Sequence, residues 1–273
     1  MGRQHVSDIL FDFERQFREK RALWRLFELA PLRLGLAQGR IFRWFGINIP
    51  FSLVGGQGDI DLLMALRDLP GRKPTLIYET LELKTTLITR LGRAISLKAS
   101  SSKTKQLIGQ LKKYRELGSP SVGLFEIYIC EDGFFENQTS LPREVLSAIE
   151  GKLDSVSAPG FGYSIAVIQH DRTSERESNR SNYLGLRAMA GSGFPSTPIK
   201  RIRSPLLTDY RPPFTQLTST LENFVEGEIN ARRTTLGKCI VTYCVRCRGL
   251  ITVDHRSDYR CGNCGNALVM QTV

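Results

Sequence analysis

Apolar residues recur with two different periods along residues 1–170, and each period predicts its own kind of element. Spacings of three and four residues predict helices at 7–30, 103–118 and 142–153. Apolar and β-branched runs predict strands at 59–66, 75–84, 121–130 and 161–170. The order α-β-β-α-β-α-β predicts a single α/β layer structure, in which helices flank a central mixed β-sheet.

Two turns indicate which strands are neighbours in this sheet. The stretch GINIPFSLVGGQGDIDLLMAL predicts a strand pair or hairpin entry, with Gly55, Gly56 and Gly58 at the bend. The turn RDLPGRKP separates strand 59–66 from strand 75–84. We therefore expect these two strands to lie side by side and antiparallel.

The pattern changes after residue 170, which divides the chain into four predicted parts. Residues 1–170 form the core, and 171–215 read as a basic connector rich in Ser, Pro and Arg, with little periodicity. Residues 216–236 predict a helix, and 237–273 form a cysteine-rich tail.

The composition says more about the binding partners of the chain than about its fold. The 273 residues carry a formal net charge of +11, which favours a polyanionic partner. No stretch has the length and apolarity of a membrane span, and the N-terminus lacks the apolar region of a secretory signal. We therefore expect a cytoplasmic protein with no membrane association. Much of the excess positive charge lies in the segment 84–118, where Glu116 is the single acidic residue. The basic residues of this segment are Lys84, Arg90, Arg93, Lys98, Lys103, Lys105, Lys112, Lys113 and Arg115.

Acidic residues and a lysine are spaced so that they meet on neighbouring strands. Side chains alternate along a strand, so Glu82 and Lys84 share one face, and Asp59 and Asp61 share a face of the preceding strand. If the strands pair, a carboxylate from each converges with the lysine. Two convergent carboxylates suit a hard cation such as Mg²⁺, and a nearby lysine can orient a bound water and favour its deprotonated form.

These residues resemble the motifs of the PD-(D/E)xK nuclease superfamily, whose RecB-like and Holliday-junction-resolvase-like branches they match best. The matching stretches are GDIDLL at 58–63 and, after a turn, ELK at 82–84. The resemblance covers roughly residues 50–130 and implies a restriction-endonuclease-like core. It implies Asp61 and Glu82 as ligands of Mg²⁺ or Mn²⁺, and Lys84 as the catalytic lysine. The proline that often precedes the first aspartate in the family is missing here.

The helix that follows adds a second motif. Gln110 and Tyr114 are similar to the Q-x-x-x-Y motif of RecB-like members, which implies a role for both at the active site and on DNA phosphates. Asp59 aligns with the glutamate of the family's G-E-I-D form. Some members add a glutamate from the opening helix to the metal site, and Glu14 and Glu28 are the candidates, although an ordinary surface role competes for each.

The tail predicts a metal site independently of the core. Cys244 and Cys247 form one C-x-x-C pair, and Cys261 and Cys264 form a second after a short β-rich loop. This spacing is diagnostic of a structural Cys₄ Zn²⁺ site in a small C-terminal zinc ribbon. The alternative interpretations are two chance C-x-x-C pairs or a redox dithiol. Cys239 lies outside the pattern. The tail also carries basic residues that permit DNA contact, namely Arg246, Arg248, His255, Arg256 and Arg260.

Three hypotheses of function remain open at this point. The first is a Mg²⁺-dependent deoxyribonuclease that hydrolyses DNA phosphodiester bonds, in restriction, antiphage defence or mobile-element processing. The second is a non-catalytic nucleic-acid-binding subunit of a larger complex, in which Glu82 and Lys84 form an ordinary buried ion pair. The third is an interaction module whose zinc ribbon docks a protein partner. The chain has no G-x-x-x-x-G-K-[ST] loop, so ATP hydrolysis is not expected.

Overall fold

A computed structural model of the chain describes residues 40–68, 76–91, 94–99, 104–130, 143–157, 160–171, 185–188, 212–237, 239–253 and 261–265. The predicted helix at 7–30, with Glu14 and Glu28, lies outside these residues, as does most of the predicted connector. No helix within the described ranges is long and apolar enough to cross a membrane.

Strands outnumber helices in the part of the chain that the structure describes. The strands are β1 Arg40–Pro50, β2 Asp59–Asp68, β3 Leu76–Leu91, β4 Ala94–Ala99, β5 Val122–Cys130, β6 Gly162–Asp171, β7 Gly185–Ala188, β8 Cys239–Cys244 and β9 Gly249–Val253. The helices are α1 Thr104–Glu116, α2 Arg143–Ser157 and α3 Phe214–Asn230, together with a short 3-10 helix at Phe51–Val54.

All nine strands belong to one mixed sheet, which confirms the predicted α/β fold. Their order is β7-β6-β5-β3-β2-β1-β8-β9, with β4 paired to the distal half of β3. β2 is antiparallel to both β1 and β3, as predicted, whereas β5 is parallel to β3 and β6 is parallel to β5. The two parallel connections run through α1 and α2, which match the predicted helices.

Two predicted boundaries were wrong. β3 continues to Leu91 instead of ending at residue 84, because β4 and β5 pair with the β-branched run that follows the lysine. The C-terminal helix covers Phe214–Asn230 instead of 216–236, and the chain leaves the helix at Arg232 with a left-handed φ of 58°. Three further strands lie in the predicted connector and tail: β7 pairs with β6, β8 pairs with β1, and β9 pairs with β8.

The three helices pack on the same face of the sheet. Along β3, alternate residues share this face, and Tyr78 and Glu82 contact α3 and α1 respectively. Glu126 of β5 lies beside Lys84 in the parallel register and contacts α2. Apolar side chains fill the space between helices and sheet, including Trp44, Ile88, Leu111, Leu124, Phe161, Phe214 and Leu221.

Glu222 joins α3 to the sheet through three hydrogen bonds. Trp44 Nε1 donates to Oε1 at 2.7 Å, Tyr78 OH donates to the same oxygen at 3.1 Å, and Arg43 donates to Oε2 at 3.1 Å. Hydrogen bonds to a charged acceptor each contribute about 1.5–3 kcal/mol when they are sheltered from water. The carboxylate therefore holds β1, β3 and α3 together.

We expect Glu222→Gln to lower the free energy of unfolding by about 2–3 kcal/mol, because the charge is lost and an amide N–H₂ faces one of the donors. Chemical denaturation monitored by fluorescence measures this change. Glu226→Gln is the matched control, since Glu226 is exposed one turn later on α3. Equal stabilities for the two variants would contradict the role of Glu222.

Candidate active site and metal centre

Asp61 and Glu82 meet because β2 and β3 pair as antiparallel neighbours, as expected. Leu62 lies opposite Leu81, so the next pair along the two strands is Asp61 with Glu82. Here a side chain accepts the hydrogen bond from the main chain of β3: Asp61 Oδ2 accepts from the N–H of Leu83 at 2.9 Å. The hydrogen bond fixes the Asp61 carboxylate beside the backbone that carries Glu82.

Glu82 is held from two sides. Lys84 Nζ donates to Oε1 at 2.6 Å, and the hydroxyl of Tyr114 donates to Oε2 at 2.5 Å. Glu82 is 3% exposed and Lys84 is 6% exposed, so this is a buried ion pair. Burial of a charged pair is tolerated only with good geometry and further hydrogen bonds, which Tyr114 supplies. The pair by itself fits both an active site and a structural ion pair.

Tyr114 anchors α1 above these residues. Its hydroxyl also lies 3.0 Å from the carbonyl oxygen of Asp59, and its ring packs in the core. Burial raises the pKa of Tyr114 well above 10, and the negative charges of Asp61 and Glu82 raise it further. The phenol therefore remains protonated and keeps donating its hydrogen. We call Asp61, Glu82, Lys84 and Tyr114 the β2–β3 site.

Gln110 occupies a different environment from Tyr114. It lies one helical turn earlier on α1, and its side chain is exposed, as is that of Gln106. Asp59 is exposed as well, at the start of β2. The structure thus brings four of the five predicted core residues together and leaves Gln110 at the surface above them.

The β2–β3 site approaches solvent at its Asp61 end. Asp61 is half-buried, and the turn that precedes β2 presents exposed residues at Gly55, Gln57 and Gly58. Gly55 and Gly58 have φ angles of 76° and 94°, which L side chains rarely adopt. The predicted glycine bend is confirmed, and the positive φ angles account for glycine at these two positions.

A second buried carboxylate, Glu126, lies next to the site and was not singled out from the sequence. It is fully buried on β5 and accepts hydrogen bonds from Thr86 at 2.7 Å and from Tyr163 at 2.6 Å, and Lys152 of α2 pairs with it. The available signal was an acidic residue inside the apolar run VGLFEIYIC, since such a charge requires buried partners. Its contacts fasten α2 to the sheet.

The four cysteines of the tail converge as their spacing predicts. Their Sγ atoms all lie within 4.8 Å of one another, and the pairs Cys244–Cys264 and Cys247–Cys261 are each separated by 3.7 Å. Tetrahedral zinc with Zn–S bonds of about 2.3 Å requires sulfur atoms about 3.8 Å apart. A disulfide requires about 2.05 Å. The four sulfurs therefore fit a metal ion such as zinc, and Cys239 is buried in the sheet apart from them.

The proximity of these sulfurs affects their protonation. The hydrogen bond with Cys264 is the main cause that raises the pKa of Cys247 to about 12, followed by desolvation and the other two sulfurs. Burial likewise raises the pKa of Cys244. Four thiols held this closely stay protonated without a metal, so a divalent cation that binds them displaces their protons.

No known family model matches the chain, and neither a curated protein nor a solved structure matches it.

Proposed function

We propose that the chain is a Mg²⁺-dependent deoxyribonuclease with a restriction-endonuclease-like core, and that the β2–β3 site is its active site. The observation that carries the proposal is the convergence of Asp61 and Glu82, from adjacent strands, beside Lys84. These are the residues that the resemblance to PD-(D/E)xK nucleases assigns to metal binding and catalysis. The mixed sheet and the position of Tyr114 on the following helix agree with that resemblance.

The residues of the site suit a hard cation. Each carboxylate oxygen can accept more than one interaction, so the Glu82 oxygens that face Lys84 and Tyr114 retain acceptor capacity. Asp61 is half-buried beside the open turn, where a cation and a phosphate can approach. Asp61 and Glu82 would hold Mg²⁺ or Mn²⁺, which stabilises charge on the phosphate and lowers the pKa of a bound water.

Side chains of the protein have the remaining roles in the proposed reaction. Lys84 carries a positive charge next to Glu82 and orients the attacking water towards the phosphorus. Tyr114 fixes the orientation of the Glu82 carboxylate, which would hold the metal. Lys112 and Lys113, both exposed on α1, offer charges to the DNA backbone on the helix side of the site.

A second candidate function is non-catalytic nucleic-acid binding. One observation favours it: Lys84 and Tyr114 already neutralise and hydrogen-bond Glu82 without a metal. In that case the site is a structural ion pair, the basic surface binds nucleic acid, and the zinc ribbon docks a partner in a larger complex.

Incubation with supercoiled, linear and single-stranded DNA distinguishes the two functions. The nuclease proposal predicts cleavage of at least one substrate when Mg²⁺ is added and none when Mg²⁺ is omitted. Omission is preferable to EDTA as the first control, because EDTA also removes zinc. DNA binding without cleavage of any of the three substrates would favour the second candidate.

A further inference from the structure

The zinc ribbon is continuous with the sheet that carries the β2–β3 site. β8 pairs in parallel with β1, from Cys239 opposite Trp44 to Thr242 opposite Ile47. The same register, continued by two residues, places Cys244 level with Ile49. Ile49 in turn pairs with Ile60, the neighbour of Asp61 on β2. The Cys₄ centre and the β2–β3 site therefore lie at the same end of the sheet.

The separation between them suits a single nucleic acid. Neighbouring strands are about 4.8 Å apart, so β8 lies about 10 Å from β2 and about 14 Å from β3. One strand of DNA advances about 3.4 Å per nucleotide, so this span covers about four nucleotides. A DNA backbone that runs from the β2–β3 site towards β8 would pass close to the Cys₄ centre.

One turn of the Cys₄ centre is basic and exposed. We call residues 244–248 the first knuckle and residues 261–265 the second knuckle. In the first knuckle Arg246 and Arg248 are exposed, and Val245 is 50% exposed. The second knuckle carries no charged side chain. The two knuckles therefore differ in the surface that they present.

Arg248 has a backbone conformation that normally favours glycine. Its φ is 53°, and the residue at the same place in the second knuckle, directly after the second cysteine, is Gly265 with a φ of 67°. An arginine in this conformation is strained where glycine is not. The first knuckle therefore presents an arginine side chain where the second knuckle has a glycine.

We propose that Arg248, assisted by Arg246, binds the phosphate backbone of DNA that extends from the β2–β3 site across the first knuckle. The inference rests on the proposed function, since it takes DNA as the substrate of that site. The first knuckle is then part of the DNA-binding surface of the core, and the zinc ion keeps its two arginines in place.

Arg248→Gly tests the inference, and Arg232→Gly is its matched control. Arg232 is also exposed, with a φ of 58°, and it ends α3, where its N–H bonds to the carbonyl of Ile229 at 2.9 Å. The N–H of Gly237 then donates to the carbonyl oxygen of Arg43 at 2.7 Å, just before β8 begins. Arg232 therefore lies towards the start of β8, whereas the first knuckle follows its end. Both substitutions remove one charge and one strained residue.

The affinity for a fluorescent duplex of about 30 base pairs is measured without added Mg²⁺, from about 50 to about 200 mM salt. We expect Arg248→Gly to weaken binding about fivefold to tenfold near 100 mM salt, and to reduce the slope of log K against log salt by about 0.9. Arg232→Gly should bind like the unaltered chain, and both variants should keep their Tm and zinc content.

Two results would overturn the inference. Equal affinities for Arg248→Gly and Arg232→Gly would show that the first knuckle does not bind DNA and leave protein docking as its role. Loss of zinc from Arg248→Gly would show that the arginine offsets the thiolate charge instead. The binding assay needs no cleavage, so it tests this inference separately from the nuclease proposal. If DNA is cut with Mg²⁺ but both variants bind it equally well, only this inference is overturned.

Discussion

Lys84→Ala is expected to reduce Mg²⁺-dependent DNA cleavage by a factor of about 100 or more. The loss of one preorganised electrostatic group at a reacting centre typically costs about 10²–10³ in rate. Lys84 is buried beside Glu82, so solvent cannot supply a substitute charge at the same place. Cleavage rates under single-turnover conditions, with enzyme in excess over DNA, measure the effect on the chemical step.

Lys113→Ala is the control for the loss of a positive charge. Lys113 lies on α1 next to Tyr114, but its side chain is exposed. We expect its removal to weaken DNA binding modestly and to leave the cleavage rate of bound DNA within a few-fold. Because removal of Lys84 leaves Glu82 buried without its cation, the fold of Lys84→Ala is checked by circular dichroism, and Lys84→Met serves as a second variant that retains the volume. Cleavage by well-folded Lys84→Met at the unaltered rate would rule out a catalytic role.

Substitution of a tail cysteine is expected to have the largest effect on stability. We expect the chain to bind about one zinc ion, and Cys244→Ser or Cys261→Ser to bind almost none. Structural zinc contributes about 10–16 kcal/mol to the folding of small zinc domains, so Tm should fall by about 10 °C or more. Elemental analysis gives the metal content, and thermal unfolding gives Tm.

The position of β8 determines how far this effect spreads. β8 is paired with β1, and Thr252 of β9 donates to Glu228 of α3 at 2.9 Å, so the ribbon supports one edge of the sheet and the helix that packs there. Cys239→Ala is the control, since Cys239 is buried in β8 but is no member of the Cys₄ group. It should keep its zinc and lose only packing energy. A zinc-free chain with the unaltered Tm would contradict a structural metal.

The local part of the fold followed from the sequence because short-range patterns encode it. The β2–β3 pair was predicted from two apolar runs and one turn, and α1 was predicted from its periodicity. The same reasoning predicted that a carboxylate from each strand converges with Lys84, since side chains alternate along paired strands. The spacing of the cysteines likewise predicted their convergence.

Contacts between distant parts of the chain were not predicted. Nothing local in the tail indicates that Cys239 pairs with Trp44, since a parallel pairing depends on the whole topology of the sheet. The buried role of Glu126 was missed for the same reason, because its partners come from β3, α2 and β6. Gln110 was grouped with Tyr114 by the resemblance to the Q-x-x-x-Y motif, and the packing of α1 leaves it exposed.

The most direct test of the central claim is the dependence of DNA cleavage on Mg²⁺ concentration, measured for the unaltered chain and for Asp61→Asn. The substitution removes the carboxylate charge at the open side of the site and retains an oxygen that can accept the Leu83 N–H. Our account predicts no cleavage without added Mg²⁺, a rate that saturates as Mg²⁺ rises, and a loss of about 100-fold or more in Asp61→Asn. Cleavage that needs no divalent ion, or that Asp61→Asn performs at the unaltered rate, would contradict the assignment of this site.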